Sequence, residues 1–168
     1  MTGGPPPLVV LDACVLVNFQ LSDLLLRLAE TPHLFEPKWS GEIMNETVRT
    51  LELKLGWPAA LTAHLQHELR RHFDLAWITG YEYLIPSMTN DPKDRHVAAP
   101  AVHAEVPLIL TFNLRHFRPE QLAVWGVRAV HPQDFLIDLF TAQPSVVLTK
   151  LKQQASDRGA AWINFSKS

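Results

Sequence analysis

The sequence predicts an α/β fold, a central and mostly parallel sheet flanked by helices. Three observations predict it. Leu8–Leu11 and Val106–Thr111 are continuous apolar runs, the pattern of strands buried on both faces. Stretches of helical period alternate with such runs along the chain. Each run then hands over to polar residues, Asp12 after the first and Asn113 after the second. In open parallel sheets, ligands bind outside those carboxyl ends.

The elements follow in order. Met1–Pro7 reads as a flexible lead-in to the first strand, without the basic and apolar regions of a signal peptide. Val15–Ala29 has Leu21, Leu24, Leu25 and Leu28 at helical spacing. Pro32 and Pro37 bracket a short extended piece, His33–Glu36. Ser40 is a good N-cap for a helix over Gly41–Leu55, whose apolar stripe is Ile43, Met44, Val48, Leu51 and Leu55. Glu46 lies nearly opposite that stripe, which suits either a solvated glutamate or a residue facing a cleft.

Gly56-Trp57-Pro58 stops one helix and starts the next, Pro58–Phe73, with Leu61, Leu65, Leu69 and Phe73 on its inner face. His64, His67 and His72 lie on or beside it and read as surface histidines, with no evident metal-binding partner nearby. Leu75–Ile78 is a candidate strand, and Tyr81–Pro86 a linker. A helix from Pro92 to about Glu105 is capped by Asp91, which puts Asp94 at its third position. Pro100 predicts a kink near His96–Pro100 or an early break.

After Val106–Thr111 come a short helix over Pro119–Trp125 closed by Gly126, a strand over Val127–His131 and a helix over Pro132–Phe140. Pro144 marks a boundary before a terminal helix, Ser145–Asp157, which Gly159 stops; Trp162 and Phe165 beyond it suggest docking. The expected organisation is a lead-in over 1–7, one domain over 8–142, and a C-terminal helix and tail over 143–168 that packs on or extends it.

Composition bounds the function. A chain of 168 residues can bury a real core. Cys14 is the only cysteine, which excludes an internal disulfide, argues against a cysteine-based zinc site and suits a reducing compartment. No apolar run approaches the length that spans a bilayer, so no membrane is expected and the chain is placed in the cytoplasm. Net charge is −2, and without the four acids Asp12, Glu46, Asp91 and Asp94 the remainder is +2. That balance argues only against strong nonspecific binding of nucleic acid.

Read alone, Asn90–Ala99 is a capped helix start. Its meaning changes when Asp12, Asp94 and Asn113 are placed at one side of a parallel sheet, with Glu46 arriving from the second helix. Carboxylates at close range do not stay ionised together without a cation. Hard oxygen ligands suit Mg²⁺ or Mn²⁺, and such an ion can activate water and stabilise charge on a phosphate in flight. That chemistry points to phosphodiester hydrolysis.

At four segments the chain resembles the PIN-domain family, in particular the VapC-like ribonuclease toxins and a PIN_3-type subgroup of them. Val10–Leu16 is similar to the family's strand-one acid, Trp39–Glu46 to its helical glutamate, Asp91–Ala99 to its third acid and Thr111–Phe117 to its Thr-x-Asn segment. The likeness runs from about Leu8 to Phe140. It implies a PIN-like three-layer sandwich and a Mg²⁺- or Mn²⁺-dependent endoribonuclease that leaves a 5′-phosphate and a 3′-hydroxyl. Asp12, Glu46 and Asp94 would hold the metal, with Asp91 either a fourth ligand or only the cap. Thr111 and Asn113 would orient ligands or the scissile phosphate, and Asn113 counts with the three acids as catalytic. Arg95, Arg115 and His116 would contact substrate. The resemblance further implies an RNA substrate, a cognate antitoxin and a homodimer. Two positions depart from the family pattern: Cys14 stands where Asn is common, which predicts a missing hydrogen bond, and His116 where an acid is common.

Two rival readings remain. A phosphatase of the haloacid-dehalogenase type needs a second Asp two residues after the first, and that position is Cys14. A PIN domain of weak or no activity, binding RNA or a protein, is favoured by His116. RNA contact would then fall to Lys38, Arg49, Lys93, Arg95 and Arg115, any of which also reads as a solvated charge.

Overall fold

Leu8–Leu11 (β1) sits at the centre of a five-stranded sheet in the order β3-β2-β1-β4-β5, and every pairing is parallel. The strands are β2 (Glu36–Ser40), β3 (Trp77–Ile78), β4 (Leu108–Leu110) and β5 (Arg128–Val130). The computed structural model describes residues 4–157; the expectations for Gly159, Trp162 and Phe165 fall outside that range. Val9, Val10, Leu11, Ile109 and Leu110 are all fully buried, as two strands covered on both faces require. The expected mostly parallel sheet is thus all parallel. Among the described residues no helix is long and apolar enough to cross a membrane.

The chain leaves β1 toward β2 on one side and later returns to β4 on the other. The strand order therefore switches direction at β1, and the carboxyl ends of β1 and β4 flank the crevice this creates. Asp12 and Thr111 are the residues just past those two ends.

Helices cover both faces. α1 (Ala13–Leu16) and α2 (Phe19–Ala29) replace the single helix expected over Val15–Ala29. Asp12 caps the first, and Asn18 adopts an extended conformation and caps the second, accepting from the Leu21 N–H at 3.4 Å. A short amide side chain that bonds the backbone locally competes with helix continuation. α3 (Gly41–Leu53) starts as expected on Ser40, whose Oγ accepts from the Ile43 N–H at 3.1 Å. It ends before Leu55, which leaves the apolar stripe and is exposed. α4 (Ala59–His72) packs through Leu65 and Leu69, and His72 pairs with Glu68 at 3.3 Å.

Pro37 lies inside β2, not at the border of an extended piece. The Glu36 N–H bonds back to Pro7 O, on the β1 side, so the next position faces β3. β3 begins only opposite Trp39, and the donor that Pro37 lacks has no ladder partner to lose.

Asn90–Ala99 also differs from a single capped helix. Pro92–Asp94 forms a 3₁₀ turn capped by Asp91, whose Oδ1 accepts from the Lys93 N–H at 3.0 Å. α5 (Arg95–His103) then runs unbroken through Pro100. The break falls at Asp94, at φ −119° and ψ 13°, and its side chain caps nothing. The carboxylate expected at the third position of a helix is instead released at a junction. α6 (Pro119–Leu122) and the turn after it are closed by Gly126 at φ +72°, a backbone that glycine adopts without strain.

α7 (Pro132–Ala142) and α8 (Pro144–Ser156) complete the described chain. α8 packs on α2 and α7. Gln154 Nε2 donates to both Gln20 O and Asp23 Oδ2 at 2.9 Å, and Val147 is the helix's buried residue.

Candidate active site

Asp12 is 3% exposed, at the end of β1. Its Oδ1 accepts from the Ala13 N–H at 2.7 Å, and its Oδ2 from the Thr111 hydroxyl at 2.8 Å. Cys14 Sγ donates to the same Oδ2 at 3.4 Å. Burial pushes the Asp12 carboxyl above its ordinary range. The Thr111 bond opposes that rise, and the nearby charges of Asp94 and Glu46 add to it. Burial, with the Asp12 charge next to it, pushes the Cys14 thiol up to about 11, so it stays protonated and able to donate. The hydrogen bond expected to be missing at Cys14 is therefore supplied by sulfur.

Asp94, 8% exposed, reaches the same crevice from the 3₁₀ turn. Its Oδ2 lies 2.7 Å from His116 Nδ1, and the other nitrogen of that ring lies 3.8 Å from Asp91 Oδ2. Asn90, buried under the turn, donates its side-chain amide to Asp94 O at 3.2 Å. Glu46 comes from the outer side of α3, with its side chain 43% exposed. Its Oε2 meets His96 Nε2 at 2.9 Å. That bond, against the opposing effect of burial, raises the affinity of His96 for its proton, and the charges of Glu46, Glu42 and Asp12 act in the same direction.

The remaining residues fall into place around these acids. Thr111 is fully buried, and its hydroxyl holds Asp12 on one side and accepts from the Asn113 N–H at 3.0 Å on the other. Asn113 is half-buried and joins the site through that backbone contact. Arg95 donates from Nε to Asn90 O at 3.0 Å, so its guanidinium brace is on its own turn. Arg115, Lys93 and Arg49 are exposed. Lys38 stands apart: its amine donates to Leu75 O, beside a cavity of about 660 Å³ lined also by Pro6, Glu30 and Asp74 near the opposite end of the strands. That placement sets Lys38 apart from the acids.

Among the described residues, no three His, Cys, Asp or Glu groups are gathered closely enough to hold a metal ion as they stand. The chemistry of the donor set nonetheless fits a hard divalent cation. It is carboxylate oxygen, and the buried Asp12 carboxyl is disfavoured as an anion by two like charges that a cation would offset.

The pairing of His96 with Glu46 was not read from the sequence. The available signal was the position of His96, two residues past Asp94 on a helix whose following residues are apolar.

No protein-family model matches the chain. A stretch of 63 residues, 38% of the chain, is 46% identical to "Putative ribonuclease VapC50" of Mycobacterium tuberculosis strain H37Rv. The match spans 37% of that protein's own length, so the likeness covers little more than a third of either chain.

Proposed function

We propose that this chain is a metal-dependent endoribonuclease and the toxin of a two-component toxin–antitoxin module. One observation carries the reading. Three carboxylates from separate segments lie at the switch point of a parallel sheet, where the charges of Asp94 and Glu46 both reach the buried Asp12. The partial likeness to a protein named as a ribonuclease supports the same activity. It also supports an RNA substrate; the cognate antitoxin and the homodimer that the sequence resemblance implies belong to this proposal.

Asp12, Asp94 and Glu46 would hold Mg²⁺ or Mn²⁺, with Asp91 at the rim. Such an ion supplies activation of water and charge stabilisation at the phosphate. The chain's own part is to aim the acids. Thr111 and Ala13 fix Asp12, the junction at Asp94 frees a carboxylate from capping, and the exposed cations Lys93 and Arg115 offer contacts to phosphates.

A second reading is a module that binds RNA or protein without catalysis. It is favoured by the two imidazoles that already occupy carboxylate oxygens, at Asp94 and at Glu46. Single-turnover cleavage of RNA with Mn²⁺, with EDTA, and by Asp94→Asn separates the two. Cleavage that needs Mn²⁺ and Asp94 supports the nuclease. Cleavage that survives both EDTA and Asp94→Asn overturns the metal mechanism, and RNA binding without any cleavage favours the second reading.

A further inference from the structure

The three acids are not held equally. Asp12 accepts from a backbone N–H, a hydroxyl and a thiol, and Asp94 sits at a backbone junction that Asn90 ties down. Glu46 has none of this. It projects from the outer face of α3 while Ile43, Met44 and Leu51 hold the inner face in the core. A glutamate so placed has several torsions free and water all around one side, and a ligand that must be collected from solvent is a poor ligand.

His96 differs in each respect. Its side chain is 17% exposed, and the next three residues on α5, Val97, Ala98 and Ala99, are fully buried. The ring has two torsions and a well-anchored backbone. Its Nε2 lies 2.9 Å from Glu46 Oε2, and among the described residues it is the hydrogen-bond partner of that carboxylate. With the proton on Nε2 the ring donates and the carboxylate accepts.

We infer that His96 is a positioning residue that holds Glu46 toward Asp12 and Asp94, so that the cation site depends on a hydrogen bond between α5 and α3. The inference rests on the metal-dependent reading above and adds a residue to it. It also says why a half-exposed glutamate can serve a buried pair of aspartates: the order comes from its partner rather than from its own helix.

The geometry specifies the test. Contact is made by the distal nitrogen, so Gln at position 96 can reach Glu46 and Asn cannot. Mn²⁺ binding to the full chain is measured without RNA, by calorimetry, for wild type, His96→Ala, His96→Asn and His96→Gln, with the melting temperature of each metal-free protein alongside. Loss of a hydrogen-bonding partner of a ligand weakens metal binding by about 10–100-fold. That loss is expected for Ala and Asn, with Gln restoring affinity to within about threefold of wild type. Adding Glu46→Gln to His96→Ala should then cost little more than Glu46→Gln alone, because the two act through one contact. If Ala does not fold, the Asn and Gln pair carries the comparison. Wild type that binds no Mn²⁺ overturns the metal reading and this inference together. Wild type that binds Mn²⁺, with Ala and Asn within twofold of it or Gln as weak as Asn, overturns this inference alone.

Discussion

Asp94 and His116, 22 residues apart in the chain, meet at 2.7 Å between Oδ2 and Nδ1. The same ring faces Asp91 through its other nitrogen. One imidazole thus stands between two carboxylates at the position where the resemblance leads one to expect a further acid. Without a metal, a hydrogen-bond donor at Nδ1 relieves the Asp94 carboxylate, which another carboxylate in that place would repel.

Replacing that ring should expose the exchange. His116→Asp is expected to destabilise the metal-free protein by about 1–3 kcal/mol, since a like charge then adjoins the buried Asp94. The same change should enlarge the rise in melting temperature on adding Mn²⁺. Thermal melts with and without the ion check both, and an unchanged metal-free stability would sink the argument.

Thr111 carries a separate burden. Thr111→Val keeps the shape but leaves the Asp12 Oδ2 without its hydroxyl donor, at an expected cost of about 1–3 kcal/mol in urea unfolding. Thr111→Ser retains the donor and should lose much less. Equal losses for the two would mean that packing, not the hydrogen bond, is what matters.

Asp12→Asn tests the price of the buried charge. Burial and neighbouring anions disfavour the Asp12 carboxylate, and the amide removes that charge while keeping only one of the two oxygens that accept from Ala13 and Thr111. The change should abolish any stabilisation by Mn²⁺, a protection that wild type gains as the ion exceeds its dissociation constant. Retained Mn²⁺ stabilisation in this variant would remove Asp12 from the ligand set.

The pH dependence of the metal-free protein has a definite sign. The folded state raises His96 above its ordinary value of 6.5, so the stability this contributes is fully present below the unfolded value and is lost as pH rises through the folded one. Asp12 is raised as well, so folded Asp12 also binds its proton more tightly and its contribution declines in the same direction, starting from 3.8. Melting temperature without metal should therefore fall as pH rises through and above 6.5. Glu46→Gln removes the main cause of the His96 shift and should flatten that slope. A melting temperature that climbs over the range would contradict both assignments.

Much of the fold was legible because the signals are local. Two apolar runs ending in polar residues located β1 and β4, and with them Asp12 and Thr111. Ser40 and Gly126 marked a helix start and a helix stop through backbone needs of their own. Where local signals compete, the structure departs from the simple pattern: Asn18 splits one expected helix, and Pro37 lies within a strand because β3 is too short to need its N–H.

Hydrophobic period and capping residues by themselves determined the parallel α/β plan and the ends at which chemistry could gather. Only the tertiary structure decided which side chains meet there. His96 finds Glu46 across 50 residues, and Thr111 finds Asp12 across 99. Periodicity tells which face of an element is buried, a property of a few neighbouring residues. Contacts between elements depend instead on strand order and on where each helix crosses the sheet, and those are settled by packing the whole core at once.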